Sequence, residues 1–422
     1  LSGYKEELDA DTKSSFSKVG AMHILAVSGL HVGVIYLMIS KVLFFLNRRQ
    51  WLKMLRLAIT LILLWTYVLI TGMSPSVMRA GIMFSFIAIG AAQSYQTNIY
   101  NTIALSALIL LLADPFTLYD IGFELSYLAV LGIVFFYPYM KLWVNSRYAA
   151  VNYIWSLMAV SIAAQLTTTP ISLLHFGQFP ISFLLANLLV VPLSGFIIYS
   201  GVIAIAVHFI PYLSEASEFV FIWLTRIMHH IILFIETLPY AYATNLEITP
   251  FQCLLLFAIL LFLSLFFIYR KALHVILTLV CFIVFIATIS IRNWQANYQE
   301  ELIIYAKAKG SYVEVISGHQ SFYPSFEELS SKEYGLYVKA YHQWRGIRRL
   351  IPVQEKQVGR PLFYQMPLLI AGDKKIWILN DSCLFPSFFM HVDYVWVKCK
   401  KRPADWLFKE RLRAETFIID PG

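Results

Sequence analysis

The chain has 422 residues, 59% of them hydrophobic and only 14% charged, and a formal net charge of +8. Soluble domains carry about a quarter charged residues, so a single water-soluble globule is excluded, and apolar runs of about 20 residues, the length that crosses a bilayer, indicate a polytopic membrane protein. Residues 1–299 hold 15 Lys and Arg against 11 Asp and Glu, and residues 300–422 hold 18 against 14, an excess that permits an anionic partner without requiring one.

The chain opens on Leu1, not Met, and is expected to be a piece of a longer protein, with 1–20 an extracytoplasmic lead-in. A helix bundle over 21–291 follows, with ten expected spans at 21–46, 52–72, 75–92, 99–113, 119–140, 150–170, 181–209, 217–238, 250–269 and 271–291. Segment 217–238, with Arg226, His229 and His230, either spans or lies along the interface. Arg48, Arg49, Lys53 and Arg56, then Lys141 and Arg147, then Arg270 and Lys271 all fall on one side, which the positive-inside rule makes cytoplasmic. Asp114, Asp120 and Glu247 fall on the other side, as do both termini. Cys253 and Cys281 lie in apolar helices and read as core.

The first span carries Gly20-Ala-Met-His23-Ile-Leu-Ala-Val-Ser28-Gly29-Leu-His31-Val-Gly33. Polar groups in hydrocarbon are costly and usually face a bundle interior or a wet path. His23, Ser28 and His31 are therefore pore candidates, against the plainer reading of hydrogen bonds to neighbouring helices. Gly29 and Gly33 form a G-x-x-x-G pair, which equally suits close helix packing. The two histidines lie about 80° apart around an ideal helix, too far along it to share a metal ion unless the helix breaks at Ser28-Gly29. Ser74-Pro-Ser76 interrupts the chain before the third span, and Arg79 just inside it either snorkels to the interface or grips a phosphate with its planar fork. Glu124, near the start of the fifth span, is interfacial or paired with Arg79. Gln165 and Asn187 are candidates for polar contacts between helices.

From residue 300 the period changes. Residues 302–305, 312–316, 375–379, 392–397 and 416–419 read as short strands, and 406–413 as a helix, giving a small β-rich α+β domain over 300–422. Two patches mix cations with aromatics or cluster them: Trp344, Arg345, Arg348 and Arg349, and Lys398 to Arg402 with Lys400, Lys401 and Arg402. Bases stack on rings while cations hold the backbone, so both are candidates for guiding a single nucleic-acid strand; a solvated surface turn is the alternative. Cys383 and Cys399 pair only if their Cα atoms come within about 7 Å.

Several ordered phrases carry a family resemblance. Besides His23 to Gly33 they are Ser76-Val-Met-Arg79-Ala-Gly-Ile-Met83, Asp114-Pro-Phe, Asp120-Ile-Gly-Phe-Glu-Leu-Ser-Tyr-Leu-Ala-Val-Leu-Gly132, Ala164-Gln-Leu-Thr-Thr-Thr-Pro170, Phe176-Gly-Gln178 and Ala186-Asn-Leu-Leu-Val-Val-Pro192. Over about residues 15–290 the chain resembles the competence domain of the ComEC-type competence proteins. Glu124 departs from the glutamine usual in that family. The resemblance implies an inner-membrane channel that admits single-stranded DNA during natural transformation. It implies a DNA receptor, a cytoplasmic motor or DNA-binding proteins and a homo-oligomer as partners, besides the bilayer. It also implies an upstream anchor and a small β domain, neither within this sequence.

Many members end in a metallo-β-lactamase-like domain, which needs an H-x-H-x-D-H cluster to hold two metal ions that activate water. Here the tail histidines are His319, His342 and His391, widely separated, and Lys398-Cys-Lys-Lys-Arg402 follows the strand 391–397. The tail is expected to be a degenerate relative with neither metal nor cofactor, and the chain a transporter, not an enzyme. The membrane segments hold no nucleotide-binding P-loop, so drive is expected from a partner. Two rival readings are a small-molecule or ion permease using His23, His31, Arg79 and Glu124 as a relay, and a metal-dependent nuclease.

Overall fold

The computed structural model describes residues 10–25, 27–93, 95, 98–244, 246–306, 311–324, 329–330, 333–353, 362–365, 368–371, 373–379, 390–397 and 412–419. It divides into two compact units, Leu1–Val275 and Ile276–Gly422.

The first unit is helical. Its helices are α1 (Ala10–Val19), α2 (Met22–Leu25), α3 (Gly29–Val42), α4 (Gln50–Ile70), α5 (Pro75–Gln93), α6 (Ile99–Ala113), α7 (Ile121–Lys141), α8 (Ala149–Phe176), α9 (Phe183–Ala206), α10 (Pro211–Glu236) and α11 (Pro250–Tyr269), and α12 (Ala272–Asn297) leads out of it. Among the described residues, nine helices are long and apolar enough to cross a membrane, and α6 is a shorter apolar one. Its 15 residues reach about 22 Å, against a hydrocarbon thickness of about 30 Å. The segment expected to span or lie flat at 217–238 belongs to α10, a 26-residue helix of spanning length.

The first expected span is not one helix. α2 stops at Leu25, Ser28 is extended (φ −118°, ψ 170°), and α3 restarts at Gly29. Serine is a favoured residue just before a helix because it satisfies otherwise free N–H groups. Here the Ser28 N–H donates to His31 Nδ1 at 3.3 Å, and Ser28 Oγ lies 3.1 Å from the same nitrogen. His31 thus occupies the place that Glu or Gln holds in a capping box. Other starts are fixed the same way: Asp120 accepts from the Phe123 N–H at 2.9 Å, and Thr249 and Gln252 cap α11 reciprocally.

Residues 10–25 pack into the bundle. Phe16, Val19, Ala21 and Ile24 form one buried cluster with Ala186 and Val190 of α9 and Ile232 and Ile235 of α10. Lys18 pairs with Glu236 at 2.7 Å, and Gln178 donates to Ser17 Oγ at 2.6 Å.

The first unit also holds a short antiparallel pair, β1 (Phe179–Pro180) and β2 (Tyr242–Ala243), and the second unit holds two sheets, one of four strands and one of five. The strands are β3 (Glu300–Ala306), β4 (Ser311–Ser317), β5 (Gln320–Pro324), β6 (Arg349–Val353), β7 (Leu362–Gln365), β8 (Leu368–Ala371), β9 (Lys374–Leu379), β10 (Met390–Val397) and β11 (Leu412–Ile419). They contain every strand expected from sequence. Val313, Val315 and Val353 of one sheet meet Leu369, Ile376, Ile378 and Trp396 of the other in one core. The helix expected over 406–413 is corrected where it can be described: Leu412 and Arg413 begin β11, in parallel register with Met390 and His391 of β10. Thr416-Phe-Ile-Ile419 at its end favours a strand, and a paired edge overrides helix propensity. Residues 406–411, Cys383, Cys399 and the patch Lys398 to Arg402 lie outside the described residues.

Candidate functional site

Chain direction alternates from helix to helix, so the starts of α3, α5, α7 and α9 meet the ends of α4, α8 and α10. Most of the polar residues singled out from sequence collect at this end of the bundle. The break before α3 supplies Ser28, Gly29 and His31, and His31 is buried. His23, in α2, is exposed.

The glycine pair is a seat for α5. A Cβ on Gly29 would lie 3.0 Å from Arg79 Nη2 and 3.4 Å from the Ala80 Cβ, and one on Gly33 would lie 3.1 Å from the Phe84 ring. This close approach buries Arg79, which is only 6% exposed. Its Nη1 donates to the Ser126 carbonyl of α7 at 3.0 Å, its guanidinium lies 5.5 Å from the Tyr127 ring centre, and its Nε has no hydrogen-bond partner. Among the described residues, no carboxylate forms an ion pair with it.

Glu124 is not paired with Arg79. Its Oε2 lies 3.8 Å from His175 Nε2, near the end of α8, and has no hydrogen-bond partner. Glu124 lies in the first turn of α7 and His175 in the last turn of α8, and the rotation of α7 that chooses between Arg79 and His175 is not encoded by spacing alone. The Gln165 amide donates to Thr169 Oγ1 at 3.3 Å within its own helix. Asn187 is half-buried and its Oδ1 is enclosed without a partner. The enclosed Tyr67 hydroxyl, also unpartnered, was missed in the sequence, where it reads as one more aromatic in an apolar helix. Among the described residues no direct hydrogen bond joins His23, His31, Arg79 and Glu124 to one another: His31 holds its helix start, Arg79 donates to a carbonyl, and Glu124 faces His175. What the end of the bundle offers is a set of polar side chains, one enclosed cation, and the carboxylate of Glu124 beside His175.

In the second unit, Trp344 is 60% exposed and carries the Arg345 guanidinium 4.6 Å from its ring centre. Arg345 also pairs with Glu301 and contacts the Tyr341 hydroxyl, so its charge is compensated. Arg348 and Arg349 are exposed. Beneath this face Glu314 and His342 are buried, with His342 Nε2 2.7 Å from both carboxylate oxygens. Tyr305 and Ser321 donate to the same carboxylate. Burial and then the hydrogen bond to Glu314 push the Tyr305 phenol well above its ordinary range. A raised value means that the contribution of Tyr305 to stability is complete below about pH 10, its ordinary value, and is lost as pH rises beyond it. Above about pH 10 the stability of the full chain, followed by denaturant unfolding and circular dichroism, is expected to fall less steeply with pH in Tyr305→Phe than in the wild type; an equal slope contradicts this. Among the described residues, no three His, Cys, Asp or Glu side chains converge as metal ligands would.

Comparison with known proteins places these features in a lineage. A family model described as competence protein matches residues 1–271. ComE operon protein 3 of Bacillus subtilis (strain 168) is 32% identical over 198 residues, which is 47% of this chain and 24% of that protein. Recombination protein 2 of Haemophilus influenzae is 25% identical over 205 residues, 46% of this chain and 26% of that protein. The chain thus spans about a quarter of the length of the curated relatives it matches. No solved structure matches it.

Proposed function

The chain belongs to the competence protein family, and from that premise we propose that its helix bundle is the path by which single-stranded DNA enters a bacterium through the inner membrane during natural transformation. The observation that carries the reading is the break between α2 and α3. Non-helical backbone at membrane depth is tolerated where it is buried in protein or lines a wet cavity. Around it stand His23, Ser28, His31 and Asn187, and the unpaired Arg79, with Gln165 deeper along α8. Polar walls with few charges suit a polyanion that must pass without being held. The bare carboxylate of Glu124 faces His175, which tempers its repulsion.

Basic residues cluster where α3 meets α4, α7 meets α8 and α11 meets α12, so the polar end is assigned to the outside. By alternation, residues 300–422 are assigned to the same side. There Trp344, Arg348 and Arg349 offer a ring and two cations to an arriving strand. A DNA receptor outside and a motor or DNA-binding protein inside complete the route. The reading assigns passage without cleavage: release of nucleotides from labelled DNA by the purified chain supplied with manganese or zinc overturns that part.

The test is uptake of labelled DNA into nuclease-resistant form by a competent strain lacking this gene. Uptake is expected to vanish and to return with the wild-type gene; undiminished uptake in the deletion strain sinks the proposal. His31→Ala is expected to lower transformation at least about tenfold at normal membrane abundance. His31→Gln is expected to recover most of it, since glutamine at that position also caps a helix. Equal transformation by wild type and His31→Ala shows that the restart of α3 is not needed for uptake.

A further inference from the structure

We propose that Arg79 is a built site for one phosphate group, set where α3, α5 and α7 meet. The inference rests on the uptake reading only for what carries that phosphate. Burying a cation without a counter-charge is costly, and the fold does so here although serine, tyrosine and carboxylate side chains lie within the same bundle end. The side chain is 6% exposed, one nitrogen donates to the Ser126 carbonyl, and Nε is enclosed with no partner. The Ser126 carbonyl lies within helix α7, whose own ladder already uses it, so it is a weak anchor for a full charge. A guanidinium presents a planar fork of donors that matches phosphate oxygens, and half of that fork is uncommitted.

A second feature points the same way. Arg79 Nη2 abuts Gly29, the first residue of the 14-residue helix α3. The start of a helix carries free N–H groups and a partial positive charge that favour an anion. With no Cβ, Gly29 lets the guanidinium lie directly against the start of α3, where an added Cβ would sit only 3.0 Å from Nη2. The broken segment and the arginine thus converge on one place. One enclosed cation is enough to register a phosphate and too little to retain a strand. Conduction needs that balance, with each site weak enough to leave. A single strand would be held one phosphodiester at a time.

The test uses the full chain purified in a phosphate-free maltoside detergent, with thermal unfolding as the readout. Inorganic phosphate is compared with chloride at equal ionic strength, since a ligand of the folded state raises its stability by mass action. Phosphate is expected to raise the wild-type midpoint saturably by several degrees and to leave Arg79→Gln unmoved; an equal shift in both overturns the site. Without phosphate, Arg79→Met is expected to melt at or above the wild-type temperature, whereas a lower midpoint makes Arg79 a structural residue and overturns the proposal. Should Arg79→Gln not fold, Gly29→Ala serves, and an undiminished phosphate response in it counts against the site. Oligothymidylate is expected to reproduce the shift and phosphatidylglycerol not to. The reverse pattern assigns the phosphate to a lipid headgroup and overturns the DNA assignment. An Arg79-dependent phosphate response combined with normal transformation by Arg79→Gln keeps the phosphate site and overturns its assignment to the passing strand, while the uptake reading stands or falls with the deletion strain.

Discussion

Gly132→Leu is expected to abolish the folded bundle, and Gly132→Ala to cost it about 1–2 kcal/mol. α7 and α8 touch here backbone to backbone. A Cβ on Gly132 would lie 2.5 Å from the Ala163 carbonyl and closer still to the Thr167 hydroxyl. Neither obstacle is the loose end of a long side chain. Ala159 and Ala163 are fully buried, and Thr167 is fixed by donating to the Leu128 carbonyl across the interface at 2.7 Å. Small residues let membrane helices approach, and overpacking of a close interface costs about 1–3 kcal/mol, sometimes more. The helix propensity of alanine returns only about 1 kcal/mol. Thermal unfolding of the purified chain and its abundance in membranes measure the effect. Gly195→Ala is the control: nothing lies within 4 Å of its added Cβ, so it is expected to be neutral or stabilising. If the two alanine variants melt together, the contact between α7 and α8 is not close enough to matter.

The second large effect lies in the tail. His342→Ala is expected to destabilise the second unit by about 3–5 kcal/mol, the cost of leaving a buried charge without its partner. Glu314 is fully buried and His342 2% exposed. Without the imidazole, the Tyr305 and Ser321 hydroxyls alone face the carboxylate among the described residues. Replacing Glu314 by glutamine in the His342→Ala background removes the stranded charge and is expected to recover part of the loss, a non-additivity that marks direct contact. Limited proteolysis of the full chain, read for cleavage within 300–422, reports both. Equal resistance of wild type and His342→Ala would show that the pair contributes nothing.

The membrane helices were legible because hydropathy over some 20 residues is a strong signal, and even the break at Ser28-Gly29 could be named, since serine and glycine are poor inside a helix and good at its start. The partners of the polar residues were not legible. Whether Glu124 meets Arg79 or His175 depends on how far α7 is turned about its axis, and no spacing within one helix fixes that. Lys18 and Glu236 lie 218 residues apart, and only the docking of α1 onto α10 makes them a pair. In the tail the strands showed through their alternation, but Leu412-Arg-Ala-Glu looks helical until β10 is beside it. Glu314 carried a signal that went unread: a carboxylate between Val313 and Val315, flanked again by Tyr312 and Ile316, must find a partner in the core.

The short reach of α6 bears on the bilayer itself. A helix about 8 Å short of the hydrocarbon thickness draws the lipid inward around it, because exposing helix ends to acyl chains costs more than compressing a few neighbours. If α6 crosses the bilayer, the two aqueous phases on that flank would stand closer together than elsewhere. A hydrophilic polymer crossing beside α6 would have less oil to traverse, and membranes with longer acyl chains would work against it.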